Sequence, residues 1–200
     1  FLVSEGRLYT MYPHEEILEA IEDNPIITAV KDQEGLETCL KTESKIVFIL
    51  FGDICNIGKI VKRVKDVHKI AIVHMDLLGG IGSKEVAVDF MREQTMADGI
   101  ISTKLTLLKR AKELGMFTVL RVFILDSMAL KSIAKQAEQA KPDVMEILPG
   151  IMPKITQQIV QKISVPIICG GLISDKEDII GAISALSLIH ISEPTRRSYI

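Results

Sequence analysis

Apolar residues in this chain occur in short continuous runs, separated by longer segments in which they recur every three or four positions. Continuous runs are typical of buried parallel strands, and the longer spacing is typical of helices with one buried face. The predicted strands are Ile26–Val30, Ile46–Phe51, Ile70–His74, Gly99–Ser102, Phe117–Phe123, Val144–Leu148 and Ile167–Cys169. The predicted helices, one after each strand, are Glu34–Lys41, Ile57–Val67, Ser83–Thr95, Leu105–Leu114, Met128–Ala140, Ile155–Ile163 and Lys176–Ala185.

Polar and glycine residues indicate where some of these helices begin and end. Ser83 is the predicted N-cap of the third helix, and Gly115 is the predicted C′ residue of the fourth. Ser174 or Asp175 opens the last helix. A further helix over Glu15–Glu22 precedes the series, and we expect it to cap the floor of the fold.

Seven strand–helix units in series predict an α/β fold with parallel strands and right-handed crossovers. Both an open doubly wound sheet and a barrel satisfy this pattern. The regular spacing, with polar residues after nearly every strand, favours a (β/α)8 TIM-type barrel. We therefore expect seven native strand–helix units, with the eighth strand missing or replaced.

The two ends of the chain differ from the rest. Residues 1–10 are expected to be a non-native leader before Met11, and residues 11–185 a single, incomplete TIM-type barrel domain. Leu186 to Arg196 matches the translation of a transposase sequencing-adapter end, so we expect residues 186–200 to be a non-native tail. The apolar segment Leu186–Ile191 has strand character and is a candidate for the eighth-strand place.

Composition narrows the class of protein. Hydrophobic residues make up 48% of the chain and charged residues 25%, and the net charge is −2, which is not the basic balance of a dedicated nucleic-acid binder. The dispersed Cys39, Cys55 and Cys169 indicate reduced thiols in a cytoplasmic protein, without a metal site or disulfide. No apolar run has the length of a membrane span, so no membrane partner is expected.

In a barrel of this kind the residues at the carboxyl ends of the strands face the ligand. The double glycine Gly170-Gly171 follows the seventh strand, where bare backbone N–H groups can approach a phosphate. Substituting valine for Gly171 is expected to weaken phosphate binding while leaving the fold largely intact. The candidate ligand-binding residues are His74, Asp76, Ser102, Lys104, Arg121, Glu146, Gly150, Gly170 and Gly171.

Several of these residues have two interpretations. His74 and Asp76 form an acid–base pair or ligand clamp, or Asp76 caps the next turn while His74 bonds within the barrel. Lys104 meets an anionic ligand or is solvated. Arg121 lies in an apolar strand and must be paired, with Glu146, Asp76 or an anionic ligand.

Gly79-Gly80-Ile81-Gly82 is a second glycine-rich segment. Its spacing differs from the dinucleotide motif and no Lys-Ser/Thr pair follows, so a nucleotide loop is not expected. We interpret it as a mobile loop over the barrel mouth.

Basic residues cluster around the second helix of the series. A solvated helix face is the preferred interpretation, and nucleic-acid contact is the alternative. The residues are Lys59, Lys62, Arg63, Lys65 and Lys69.

Five collinear segments resemble the glycerol uptake operon antiterminator family, the glycerol-3-phosphate-responsive regulators. The resemblance spans roughly Ile26 to Ala185 and implies a barrel that binds glycerol 3-phosphate and acts on leader mRNA to prevent transcription termination. Family members often have arginine where Lys104 stands, so the charge is kept but the bidentate geometry is lost. The segments are His74–Gly80, Asp98–Lys104, Arg121–Ser127, Glu146–Pro153 and Pro166–Ile173.

Two functions of different classes follow. The first is a cytoplasmic, non-enzymatic, RNA-binding antiterminator of glycerol metabolism genes, with glycerol 3-phosphate and leader mRNA as partners, no cofactor, and a homodimer left open. The second is a phosphosugar-type barrel enzyme with Asp76 or Glu146 as general base and Arg121 or Lys104 stabilising negative charge. A pseudoenzyme that binds a phosphometabolite and a protein partner is a third reading.

Overall fold

The fold is described from a computed structural model. It describes the backbone of residues 2–4, 7–9, 11–24, 26–185 and 191–194, and the side chains of residues 11–24 and 26–185. Two short strands, Leu2–Ser4 and Arg7–Tyr9, pair antiparallel ahead of the main fold.

Eight parallel strands close into a barrel, which confirms the predicted fold class. The eighth strand lies between the seventh and the first, with Ile191 in register with Cys169 on one side and with Ile26 on the other. Of the proposed eighth-strand segment, residues 186–190 lie outside the described residues. The strands are β1 Ile26–Val30, β2 Ile46–Ile49, β3 Ile70–His74, β4 Gly99–Ser102, β5 Phe117–Phe123, β6 Val144–Leu148, β7 Ile167–Gly170 and β8 Ile191–Pro194.

A helix follows each of the first seven strands, as predicted, and packs on the outside of the barrel. The helices are α1 Gln33–Cys39, α2 Ile57–Asp66, α3 Val86–Gln94, α4 Leu105–Glu113, α5 Ser127–Ala140, α6 Pro153–Val160 and α7 Lys176–Ala185. A 3-10 turn, Met75–Leu77, continues β3.

The helix ends confirm two of the predicted caps and correct the third. Gly115 has φ +69, and the N–H groups of Gly115 and Met116 bond back to Lys112 and Ala111, which is the Schellman arrangement. Asp175 caps α7 by accepting from the amide of Asp178 at 2.9 Å. Ser83 is not an N-cap, because α3 begins at Val86 and the Ser83 hydroxyl is bonded to Lys104 instead.

Alternation along the strands divides the apolar residues into two clusters. One set of positions packs under the outer helices, and the other fills the barrel interior. The interior set is Ile27, Ala29, Ile46, Phe48, Ile70, Ile72, Ile101, Phe117, Val119, Val144 and Ile168.

The N-terminal helix, His14–Asp23, closes the floor of the barrel, as the sequence predicts. Its Ile17, Ala20 and Ile21 are buried and belong to the interior cluster. Burying about three aliphatic side chains in this way stabilises the fold by several kcal/mol.

A buried ion pair holds the chain entering this helix. The Lys65 ammonium donates to Asp98 at 2.6 Å and lies 4.3 Å from the centre of the Tyr12 ring. Asp98 also accepts from the backbone amides of Tyr12 and Ala71. Burial lowers the pKa of Lys65 and raises that of Asp98, while their mutual attraction opposes both shifts.

The basic residues around α2 do not form an open cationic patch. Lys65 is committed to Asp98, and the buried Lys69 ammonium donates to the carbonyl groups of Thr42 and Ser44. Two more are paired on the surface, Lys62 with Asp66 and Arg63 with Glu37. The interpretation of this cluster as a solvated face is therefore wrong for Lys65 and Lys69, which are buried.

In the part of the chain that the structure describes, no helix is both long and apolar enough to cross a membrane. Cys39 and Cys169 are buried and Cys55 is exposed, and all three are free thiols.

Gly99 is the point at which β4 approaches β5 most closely. A Cβ placed on Gly99 would overlap the carbonyl oxygen of Phe117 and lie 2.7 Å from its Cβ. Both of these atoms are held in the sheet, so the added methyl group cannot be accommodated by a rotamer change.

We therefore expect Gly99→Ala to lower the free energy of unfolding by about 3 kcal/mol or more, measured by urea titration. Gly181→Ala is the matched control, because no atom lies within 4 Å of the added Cβ in α7. It is expected to raise the free energy of unfolding by about 0.5–1 kcal/mol. Equal effects of the two substitutions would contradict the close approach.

Candidate functional site

The barrel interior changes from apolar to polar at the carboxyl ends of the strands. His74, Arg121, Glu146 and Gly170 each lie two residues after an interior apolar residue of the same strand. Side chains alternate along a strand, so all four positions face the barrel axis. They form one layer across β3, β5, β6 and β7, which we call the mouth layer.

Arg121 and Glu146 form an ion pair in this layer. They are in register across β5 and β6, and Nε of Arg121 donates to Oε2 of Glu146 at 2.6 Å. Both side chains are buried. The sequence allows Glu146, Asp76 or an anionic ligand as the partner of Arg121, and in the structure the partner is Glu146. The pair holds a carboxylate and a guanidinium in fixed positions at the mouth.

His74 carries the one unsatisfied group of the site. Its Nδ1 is the only buried side-chain nitrogen or oxygen among the described residues that has no hydrogen-bond partner. Burial, together with the Arg121 guanidinium, lowers the pKa of His74 to about 4, although the Asp76 carboxylate and a backbone hydrogen bond of His74 oppose the shift. His74 is therefore neutral at neutral pH, with a vacant hydrogen-bonding position.

Asp76 is saturated with hydrogen bonds from β4 and the residue after it. Oδ1 accepts from the Ser102 hydroxyl at 3.0 Å, and Oδ2 accepts from the amide and hydroxyl of Thr103 at 2.7 and 3.0 Å. Burial favours a raised pKa for Asp76, but these hydrogen bonds outweigh it and the pKa is lowered. Such a carboxylate is a poor proton acceptor and a good holder of a fixed negative charge.

Lys104 extends from the end of β4 towards the loop before α3. Its ammonium donates to the hydroxyl of Ser83 and lies 3.6 Å from Oδ1 of Asp76. The side chain is 43% exposed, so it is able to move. Asp76, in the turn after β3, thus lies close to the Lys104 ammonium, which follows β4.

Ser102 serves the site indirectly. It occupies a position on β4 that faces the outer helices, and its hydroxyl both donates to Asp76 and accepts from the amide of Lys104. Its contacts position the two charged residues.

The double glycine forms a turn at the end of β7. Gly171 and Leu172 both have positive φ, +73 and +62. The amide of Gly150 donates to the carbonyl groups of Gly170 and Gly171, at 2.6 and 3.1 Å. Gly150 therefore supports the turn, and its own N–H is already in use. A Cβ on Gly150 would lie 2.8 Å from Cδ1 of Ile173.

Valine at position 171 is less benign than the sequence suggests. The added Cβ would lie 3.1 Å from Cδ2 of Leu148, and the positive φ is unfavourable for a β-branched residue. Gly171→Val is therefore expected to lower the stability of the fold as well as to weaken phosphate binding.

The start of α7 is already occupied by carboxylates. Asp175 caps the helix, and Asp178 accepts from the amide and hydroxyl of Ser174. Glu177 adds a further negative charge to the first turn. Repulsion by these groups disfavours a phosphate at this helix end.

The second glycine-rich segment is anchored where it begins. Asp53 and Gly79 form a parallel bridge, and the amide of Gly79 donates to the carbonyl group of Gly52 at 3.0 Å. The interpretation of the whole segment as a mobile loop is therefore corrected for its first residue.

Sequence reasoning missed two residues of the site. Thr103 supplies two of the hydrogen bonds to Asp76, and Ser83 binds Lys104. The position of Thr103 between the candidates Ser102 and Lys104 could have identified it. Nothing in the sequence indicates the contact of Ser83, because its partner Lys104 lies 21 residues away.

No group of three or more metal-ligating side chains occurs among the residues that the structure describes. The site thus consists of a fixed ion pair, a neutral imidazole, a mobile ammonium and a glycine turn. These groups are suited to holding a small polar anion.

Comparison with known proteins agrees with this picture. The model of the family "Glycerol-3-phosphate responsive antiterminator" matches residues 26–195. The uncharacterized protein YgcP of Escherichia coli K12 is 45% identical over 169 residues, covering 84% of this chain and 88% of YgcP.

Two solved structures are similar over most of their length. The glycerol uptake operon antiterminator regulatory protein of Listeria monocytogenes superposes with a TM-score of 0.81 at 29% identity, covering 85% of this chain and 92% of that one. A glycerol uptake operon antiterminator-related protein of Thermotoga maritima gives 0.73 at 34% identity, covering 85% and 94%.

The neutral state of His74 predicts a pH dependence of stability. The unfolded imidazole, with its ordinary pKa of 6.5, takes up a proton before the folded one does. Stability is therefore lost as the pH falls from about 6.5 towards 4, by about 3 kcal/mol at the lower end.

His74→Gln should remove this contribution, so urea unfolding of the two proteins should diverge across that pH range. The His74 imidazole resonances in wild type should show no titration above about pH 5. A titration midpoint near 6.5, or parallel stability curves, would refute the assignment.

Proposed function

The chain belongs to the glycerol-3-phosphate responsive antiterminator family, and from this premise we propose that it binds glycerol 3-phosphate at the mouth layer and acts on a leader RNA. The observation that carries the proposal is the vacant Nδ1 of His74, buried beside the Arg121–Glu146 pair. A buried polar atom without a partner is costly unless a ligand completes it.

The phosphate group lies against the glycine turn at Gly170–Gly171. Glycine permits close approach of a phosphate to the backbone, and Gly150 holds the turn from the β6 side. The α7 N-terminus takes no part, because Asp175 caps the Asp178 amide and the carboxylates of Asp175, Glu177 and Asp178 repel an anion there.

The glycerol hydroxyl groups bind to the polar side chains of the mouth layer. The Glu146 carboxylate, held by Arg121, accepts from one hydroxyl group. The vacant Nδ1 of neutral His74 binds another, with a donor or acceptor role set by its tautomer. A neutral imidazole suits a neutral hydroxyl better than it suits a phosphate.

Lys104 supplies the counter-charge to the phosphate. β4 and β7 are three strands apart in the barrel, so the ammonium has to leave Ser83 and reach across the mouth. Three strand spacings of about 4.8 Å separate the two strands by about 14 Å, so the Lys104 ammonium and the glycine turn approach the phosphate from opposite sides of the mouth. Asp76 and Ser102 hold the backbone from which it moves.

The alternative of an enzyme with Asp76 as general base has less support. Asp76 has a lowered pKa and three hydrogen bonds from Ser102 and Thr103. Glu146 is paired with Arg121. Both carboxylates are thus already bonded to neighbouring side chains, which suits binding better than proton transfer.

We expect Lys104→Met to weaken glycerol 3-phosphate binding roughly 10- to 100-fold in calorimetric titration, because a charge-assisted hydrogen bond is worth about 1.5–3 kcal/mol. Lys109→Met is the matched control, since Lys109 is exposed on α4, the helix that directly follows Lys104. Equal affinities for wild type and the Lys104 variant would remove Lys104 from the site.

We expect glycerol 3-phosphate to change the affinity of the chain for a glycerol-operon leader RNA by at least about 5-fold, the scale of ordinary allosteric coupling. Gel-shift titrations with and without the ligand measure the change, and a scrambled RNA is the control. If neither ligand binding nor an effect on RNA affinity is seen, the proposal fails. Turnover of a triose phosphate that Asp76→Asn abolishes would favour the enzyme instead.

A further inference from the structure

One side of the barrel mouth exposes a group of large apolar side chains. They belong to the end of β5 and to the segments that follow β5, β6 and β7, and we call them the apolar rim. Leu125, Met128 and Leu172 are 82%, 75% and 70% exposed. The members of the apolar rim are Phe123, Leu125, Met128, Ile151 and Leu172.

Contacts between the three strand ends that carry the apolar rim hold them next to one another. Phe123 is in register with Leu148, and the Ile124 amide donates to the Leu148 carbonyl group at 2.8 Å. The Leu148 side chain in turn lies 3.1 Å from the Cβ position of Gly171, the residue before Leu172. The chain thus brings all three segments to one edge of the barrel.

The conformation of Leu172 adds a second observation. It has φ +62, a region that non-glycine residues rarely adopt, and its side chain points mostly into solvent. The fold therefore holds an apolar side chain outside the core at a cost in conformational energy. Strain of this kind occurs at functional positions.

Charge around the apolar rim favours a protein partner over a polyanion. The exposed charges next to it are balanced in sign, whereas a nucleic-acid surface is strongly basic. They are Asp126, Asp175, Glu177, Lys131, Lys154 and Lys176. Balanced charges around an apolar centre match the composition of protein–protein interfaces.

The size of the surface fits a second copy of this chain. From their exposed fractions, the five side chains present on the order of 500 Å² of apolar surface, at the upper end of what monomers expose. Because a little over half of an interface is apolar, this corresponds to about 800 Å² per partner, the standard size. A two-fold axis also lets the balanced charges complement themselves.

We propose that the apolar rim is the interface of a two-fold homodimer, in which two barrels meet beside their ligand-binding mouths. This inference does not depend on the identity of the ligand. The dimer buries Leu125 and Met128 at its centre and the Phe123, Ile151 and Leu172 side chains around them.

Sedimentation velocity of the full chain over a dilution series tests the proposal. We expect a species of twice the mass of the chain for the wild type. The variant Leu125→Glu/Met128→Glu should weaken dimerisation roughly 100-fold or more, because it places two charges in the apolar centre. Both residues are exposed, so the fold should be retained, and the urea unfolding midpoint verifies this.

Val86→Glu is the matched control. Val86 is 66% exposed in the first turn of α3, as Met128 is in the first turn of α5, but it lies outside the apolar rim. Dimerisation of this variant should equal that of wild type. If the double variant is unstable, the single variant Met128→Glu replaces it in the same measurement. An acidic residue in the first turn of a helix is favourable, so this variant should fold.

Three results would overturn the proposal. They are a wild-type chain that sediments as a monomer at every concentration, a rim variant that dimerises as wild type does, and a Val86→Glu variant that dissociates. Loss of RNA affinity in the rim variant with unchanged mass would assign the surface to RNA instead.

Discussion

The buried ion pair between Arg121 and Glu146 is the constraint on which the mouth of this barrel depends. A guanidinium on a strand that otherwise reads as apolar is tolerated only with a partner, and register between β5 and β6 supplies one at 2.6 Å. The same cation helps to keep His74 neutral. One pairing across two strands therefore fixes the position of a carboxylate and adds to the burial that keeps an imidazole neutral.

The sequence predicts the strands and helices well because barrel elements have strong local signals. Continuous apolar runs, the Gly115 helix end and the Asp175 cap all act within a few residues. The prediction of Ser83 as a cap failed because a distant ammonium took its hydroxyl group. Local propensity cannot register a competitor that arrives from another strand.

The structure gathers the candidate residues at the mouth of the barrel, and their part in ligand binding stays a prediction. Position at a strand end pointed to His74, Asp76, Lys104 and Glu146, and a charge inside an apolar strand pointed to Arg121. Strand position could not separate residues on interior positions from Ser102, which faces the helices and supports Asp76. Nor could it show that the Gly150 amide is bonded to β7. Roles depend on the direction of a side chain and on its partners, and both are set by tertiary contacts.

The protonation states of the mouth favour binding over catalysis. A general acid or base works best with a pKa near the ambient pH. His74 has a pKa of about 4, and the pKa of Asp76 is lowered by its hydrogen bonds, so neither changes protonation near neutrality. A ligand at the mouth would thus meet a neutral imidazole and an ionised Asp76. In the proposed binding mode, the Nδ1 of His74 pairs with a neutral hydroxyl group of the ligand.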